Sequence, residues 1–269
     1  MRIKLMITAL GLVIASQYSN AAAQRELVVG GYPAYPPVDM RDPQTNELTG
    51  FDVDLINALS KKMDVKIKWS ETQFAQLIPS MQTKRLDLFV SAMNDTAERQ
   101  KVISFVDYLR SGTQLATLKG FKPGLVHLDD FCGLRIAASR ATSIPRQLND
   151  WSAEYCVKAG KPAMQVSGAD NNIDARNQTK QGRVDAFAQD SLTVPYIMSQ
   201  DANTFRVIGE PFNVQNAGIG VAKDNTALQQ EVQHALGLLV ADGTYKSLLA
   251  KWQLPPQSAI SKVTINNAD

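Results

Sequence analysis

The sequence predicts an α/β protein of two units, each a mixed, mainly parallel sheet flanked by helices. Three observations predict it. Strand-like apolar runs alternate with helix-like periodic ones. The alternation stops near the middle of the chain and then restarts. Two long extended stretches, 112–119 and 206–222, enclose the second set. A strand followed by a helix and another strand builds a parallel pair, because the return path needs a crossover.

In the first set, Leu27 to Gly31 reads as a buried strand. Phe51, Leu55 and Leu59 recur every four residues and mark one face of a helix. Lys66 to Trp69 alternates as a strand does, Phe74, Leu77, Ile78 and Met81 return to helical spacing, and Leu86 to Ser91 is again strand-like. Asp95 then stands as a helix N-cap with Glu98 three residues on, the spacing of a capping box. In the second set, Leu134 to Ser139 is a strand and Ser143 to Trp151 a helix entered through Pro145. Met164 to Ser167, Ile173 to Gln181 and Val184 to Gln189 continue as strand, helix and strand. Two helices, 228–240 and 245–252, follow the second extended stretch, and the tail from Pro255 reads as loosely structured. There is no internal repeat and no low-complexity tract.

Arg2 and Lys4 precede an apolar run from Leu5 to Ala15, and Ala21-Ala22-Ala23 follows it. A basic start, an apolar run too short to span a bilayer and a small-residue site describe a secretory signal over residues 1–23, with cleavage before Gln24. Taking 23 residues from 269 leaves 246, enough for one large or two medium domains. Arg2 and Lys4 leave with the signal, so 26 basic residues face 26 acidic ones. That balance gives no electrostatic footprint for nucleic acid or an anionic membrane and favours a small molecule or a specific protein as partner. Cys132 and Cys156 are the two cysteines. In an oxidising compartment they read as one disulfide, the alternative being two buried thiols. With His127 and His234 they show no zinc spacing, so no metal or cofactor is expected.

Ligands of open α/β sheets bind beyond the carboxyl ends of the strands, so two such units facing each other make a cleft. The motifs give that cleft a chemistry. In order along the chain stand Tyr35-Pro36-Pro37, Gly50-Phe51-Asp52-Val53-Asp54-Leu55, Leu77-Ile78-Pro79-Ser80 and Arg85-Leu86-Asp87. Thr96, Glu98 and Arg99 follow, then Ala141-Thr142-Ser143, Gly182-Arg183-Val184-Asp185-Ala186 and Asp190. Gly218-Ile219-Gly220-Val221, Gly243-Thr244-Tyr245 and Lys251-Trp252 close the series. In order and spacing this resembles the periplasmic substrate-binding proteins of polar amino-acid ABC transporters, the type II, family 3 bilobal binders. The resemblance implies a two-lobed periplasmic-binding-protein-like fold with two hinge crossovers. Lobe 1 would hold residues 24–113 plus 215–269 and lobe 2 residues 114–214.

The resemblance also implies roles. Arg99 would clamp the ligand's carboxylate, since a guanidinium fork meets both oxygens at once. The bland alternative is a helix charge paired with Glu98 or Asp95. Asp190 would take the α-ammonium, its alternative being a turn or cap aspartate. Ser91 and Asn94 match positions that complete the zwitterion's hydrogen bonds, and Ser143 matches the second hydroxyl of a Gly-Thr-Thr motif. Tyr35 and Phe74 match the aromatic pair around the ligand side chain, with core packing as their alternative. Two departures mark this chain. Ala92 stands where a second hydroxyl is common, and Ala141 replaces a glycine. Tyr32 occupies the place where binders of cationic amino acids carry Asp, which argues against a lysine or arginine ligand. Tyr32, Met93 and Thr142 are therefore the candidate specificity residues.

The function implied is capture of a small amino acid or amino-acid derivative by hinge closure, then delivery to an ABC transporter permease in the inner membrane, by a monomer. Two rivals share the fold. A cyclohexadienyl dehydratase would need a general acid in the cleft, with Glu71 and Asp190 as candidates. A ligand-presenting sensory accessory would use the same pocket.

Overall fold

The computed structural model describes residues 24–268; the expected signal segment, 1–23, lies outside them. The chain opens with β1 (Glu26–Gly31) and three short strands, β2 (Ala34–Tyr35), β3 (Asp39–Arg41) and β4 (Leu48–Thr49). Next come α1 (Phe51–Met63), β5 (Lys66–Glu71), α2 (Leu77–Gln82), β6 (Leu88–Asn94) and the single turn α3 (Ala97–Gln100). The long strand β7 (Ser104–Leu118) leads to β8 (Arg135–Ser139), α4 (Ile144–Ser152), β9 (Gln165–Ala169), α5 (Asn172–Lys180), β10 (Ala186–Asp190) and α6 (Val194–Gln200). A second long strand, β11 (Phe205–Val221), returns to α7 (Thr226–Ala241) and α8 (Thr244–Lys251).

Each half keeps the parallel arrangement that its alternation predicts. β1 runs parallel to β5 and β6, and β8 runs parallel to β9 and β10. The hydrogen-bond ladder does not stop between them: one sheet runs β5-β1-β6-β11-β7-β10-β8-β9. The crossovers cause this, because β7 and β11 are strands that pair antiparallel with each other, so their backbone groups need no other partner. Their register shifts between Ile208 and Phe212 and again before Gln215, opposite Gly112 and Thr113. Gly209 and Asn213, both with positive φ, sit inside that break. The apolar side chains divide at the same place. One core gathers Val29, Phe51, Leu55, Phe89, Phe105, Ile219 and Leu236 among others. Two smaller clusters gather side chains between Leu115 and Phe212. Burying a Leu or Phe side chain contributes about 1.5–3 kcal/mol, so each half carries its own stabilisation.

Cys132 and Cys156 form a disulfide with Cα atoms 5.6 Å apart, within the second half. The tail is not loose. β10 pairs with β7 only along 113–116, which leaves the outer edge of Ser104–Leu109 without a strand. The tail covers that edge: Ile265 bridges Val106, and Asn266 exchanges bonds with the Phe105 backbone at 2.8 and 3.0 Å. Asp95 is not the cap of α3 either. Thr96 is, its hydroxyl accepting from the Arg99 N–H at 3.3 Å, while Asp95 is buried and accepts from Gln100 at 2.8 Å.

Candidate ligand-binding site

The first wall of the cleft is built where β6 leaves the regular strand. Ala92 has φ +42, uncommon for a residue with a Cβ, and its N–H donates to the Tyr108 hydroxyl at 2.8 Å. That hydroxyl donates in turn to Asp52 at 2.8 Å. The kink breaks the period-two alternation, so Ser91, Ala92 and Asn94 all line the cleft. Met93 turns the other way, into the core, where it is buried, and it does not serve as a specificity residue.

The Thr96 cap starts α3 immediately after β6 and holds Arg99 in its only turn. The Arg99 guanidinium folds back, donating to the Asn94 carbonyl at 2.9 Å and the Ala141 carbonyl at 3.5 Å, and lies 5.9 Å from the centre of the Phe74 ring. Burial, and then the charge of Arg146, lower its pKa to about 10, with Asp95 opposing, so it stays a cation at neutral pH. Glu98 pairs with Lys101, not with Arg99. The remaining N–H donors of the fork are what a carboxylate in the cleft would meet.

The second wall comes from the carboxyl ends of β8, β9 and β10. Asp190 ends β10. Its carboxylate accepts from the N–H groups of Leu192 and Thr193 at 3.0 and 3.3 Å, so it also caps its own turn. Burial raises its pKa; the Tyr35 hydroxyl and those N–H groups pull it back toward the ionised form. Burial, and then the Asp190 charge, push the Tyr35 hydroxyl well up, so Tyr35 is a neutral donor. Ala141 does not take a left-handed φ, so nothing in its turn requires the glycine it replaces. The Thr142 hydroxyl donates to the Ser139 carbonyl at 2.8 Å. Ser143 stands just behind the lining, its hydroxyl donating to Asn94 at 3.4 Å and accepting from Gln147 at 3.2 Å.

The cleft between these walls encloses a cavity of about 110 Å³. Tyr32, Tyr35, Phe74, Ser91, Asn94, Arg99, Thr142 and Asp190 line it together. The aromatic pair within it is Tyr32 edge-on to Phe74, with ring centres 6.4 Å apart; Tyr35 is the more buried ring, set against Asp190. Gln73, Ala75, Ser139, Asp170, Asn171 and Asn172 line it too, and the sequence reading did not name them. The signal for the last three was available: they follow β9, at the strand end where such sites form. Glu71 is outside the lining and pairs with Arg41 on the surface, which removes it as a general acid in the cleft. Among the described residues no cluster of His, Cys, Asp or Glu could hold a metal ion, and no helix is long and apolar enough to cross a membrane.

A cleft closed by two strand-end walls, with an arginine fork on one and an aspartate on the other, defines a two-lobed solute binder. The chain belongs to the bacterial extracellular solute-binding proteins, family 3, whose pattern matches residues 27–255. It is 29% identical over 255 residues to the ABC transporter arginine-binding protein 1 of Escherichia coli K12, covering 93% of this chain and 98% of that one. It is also similar to an ancestral arginine-binding protein bound to glutamine, with TM-score 0.74 and 28% identity over 85% of this chain and 98% of that chain. An ancestral amino-acid-binding protein described as a precursor of cyclohexadienyl dehydratase matches with TM-score 0.72 and 27% identity, covering 84% and 95%.

Proposed function

We propose that this protein captures a zwitterionic amino acid or a close derivative in the periplasm and delivers it, as a monomer, to an ABC transporter. The observation that carries the reading is the placing of Arg99 and Asp190 on opposite walls of one cleft. A free amino acid carries a carboxylate and an ammonium on one carbon, and the two walls offer the complementary charges. Arg99 takes the carboxylate, with its fork pre-aimed by the Asn94 carbonyl and the Phe74 ring. Asp190 and Ser91 take the ammonium. Tyr32 and Phe74 flank the side chain, with Tyr32 in the place of a carboxylate for a cationic one; the other lining carboxylate, Asp170, is exposed and paired with Arg140. The ligand is therefore polar and uncharged, or aromatic, in its side chain.

Closure is a rotation of one half over the other about the register break of β7 and β11, where few ladder bonds must change. Residues 24–113 with 215–269 move as one lobe and 114–214 as the other. The closed pair of lobes is what the permease engages, so the ligand sets the population that docks. A dehydratase is the second reading, because Asp190 is a buried acid in the cleft with a raised pKa and a dehydratase precursor is among its structural relatives.

One experiment separates them. The protein from Gln24 onward is stripped of ligand and melted with each common amino acid and with prephenate. A ligand at a hundred times its Kd adds about 2.7 kcal/mol, a rise in Tm of several degrees. A shift with an amino acid that is recovered unchanged supports the binder. Consumption of prephenate makes the protein an enzyme.

A further inference from the structure

Beneath the first wall lies a cluster the amino-acid site does not itself use. Asp39, on β3, is fully buried. One of its oxygens accepts from the Tyr32 N–H at 2.6 Å and from the Ser91 hydroxyl at 3.1 Å, and the other has no partner. The same Tyr32 N–H also reaches the Ser91 oxygen, at 3.0 Å. Gly31 makes room for this: a Cβ there would sit 2.9 Å from the Asp39 oxygen. The groups that face Asp39 are Asp52 on α1, the Tyr108 hydroxyl on β7, the Tyr32 N–H after β1 and, farther off, Glu71 on β5, itself held by Arg41. None of them is a cation. Ser91 and Tyr32 both line the cleft.

The hydrogen-bond count around Ser91 is then decisive. A serine hydroxyl has one proton and two lone pairs. The proton goes to Asp39 and one lone pair to Tyr32 N–H, so the second lone pair is what Ser91 can present to the cleft. An ammonium needs an acceptor, and an ionised Asp39 fixes Ser91 as one. We propose that Asp39 is a positioning residue for the ligand's ammonium, acting through Ser91, and that it makes affinity depend on pH across neutrality. This rests on reading the cleft as an amino-acid site. Burial pushes the Asp39 carboxyl up to about 7, against the pull of Ser91 and the Tyr32 N–H, and Glu71 adds to the rise. A bound ammonium must lower it, because it favours the ionised form.

The sign follows from linkage. If the ligand lowers the Asp39 pKa by about one unit, affinity falls as pH drops through 7, to about fivefold weaker at pH 6 than at pH 8. The common amino acids other than histidine do not change charge in that range, and Asp190, Asp52 and Asp95 are the other raised carboxyls beside the cleft that could produce such a slope.

The test is calorimetric titration of the best amino acid from pH 5.5 to 8.5 on wild type, Asp39→Asn and Ser91→Ala. The proposal expects a fall toward acid pH in wild type, and weak, flat profiles in both variants. A flat wild-type profile overturns it. So does a wild-type slope retained in Asp39→Asn, which would assign the titration to another of these carboxyls. If Asp39→Asn does not fold, carbon-13 NMR of the wild-type carboxyls decides: the ligand must move the Asp39 midpoint down, and an unmoved midpoint overturns the proposal. If no amino acid binds at any pH, the amino-acid reading itself fails, and this inference with it.

Discussion

The two walls of the cleft are built by different means. The Arg99 wall rests on the interior of the first half, where four carboxyl groups are buried: Asp39 and Asp52, each with one oxygen that has no partner, and the pair Asp95 and Asp107, bonded to each other and to the Asn267 backbone. These acids hold backbone and hydroxyl groups in place: Ala92 through Tyr108 and Asp52, Ser91 through Asp39. The Asp190 wall hangs on turns at three strand ends, above smaller apolar clusters and a disulfide. In that half Asp190 is the one buried carboxylate among the described residues. The difference teaches an order of events. On the proposed reading, a wall pre-set by buried bonds loses little entropy when a ligand docks, so Arg99 would receive the ligand and the Asp190 wall would close over it.

The sharpest way to break this comparison is to remove the fork. Arg99→Ala should weaken amino-acid binding by more than about a hundredfold, roughly 3 kcal/mol, with the fold retained. Arg99→Lys should recover only part, because a point charge cannot meet two oxygens at once. Titration calorimetry with a parallel melt checks both; tight binding by Arg99→Ala would end the assignment. The second half should instead be sensitive to its staple. Replacing Cys132 and Cys156 by Ser should cost about 3 kcal/mol in urea unfolding, for a sequence separation of 24. Affinity should change by only a few-fold, since neither cysteine reaches the cleft. A collapse of affinity would show that the staple shapes the second wall.

Asp190→Asn ranks next and compares the walls directly. The amide keeps an acceptor for the Leu192 and Thr193 N–H groups but loses the charge that, on the proposed reading, would meet the ammonium. A loss of about ten- to a hundredfold is expected, the range of a hydrogen bond to a charged group. A loss equal to that of Arg99→Ala would mean that both walls are equally pre-set, against the order proposed above.

What was legible in the sequence follows the same division. Periodicity placed the helix of Phe51, Leu55 and Leu59 and the strands around Leu27 and Leu134, because each buries one face or both. Motif order brought Arg99 and Asp190 to one cleft. What could not be read was set by contacts distant in the chain. The left-handed Ala92 is held by Tyr108, and nothing about alanine announces a kink; with it went the expectation for Met93. Asp95 looks like a cap by spacing, yet burial beside Asp107 claims it, and Thr96 takes the role. The tail lacks periodicity because it is one strand's width of cover, tied by Thr264 and Asn266 to an open edge.

That buried Asp95–Asp107 pair supports the smallest prediction. Asp107 accepts from the Thr264 hydroxyl at 2.6 Å, and burial pushes it up to about 7, with Asp95 adding to the rise. In the unfolded chain an aspartate titrates near 4. A carboxyl whose pKa is raised by folding binds its proton more tightly in the native state, so its contribution to stability is complete below about pH 4 and is lost as pH rises through about 7. Asp39 carries the same sign. The ligand-free protein should therefore melt at a higher temperature at pH 5.5 than at pH 8.5, the reverse of a protein held by ionised, salt-bridged carboxylates. Asp107→Asn should flatten part of that slope and leave the pH profile of ligand affinity as it is, because Asp107 itself lies under the tail and, of the pair, only Asp95 acts on Arg99. If Asp107→Asn altered the affinity profile as well, the tail and the first wall would be one coupled unit, and the separation of latch from site would have to be abandoned.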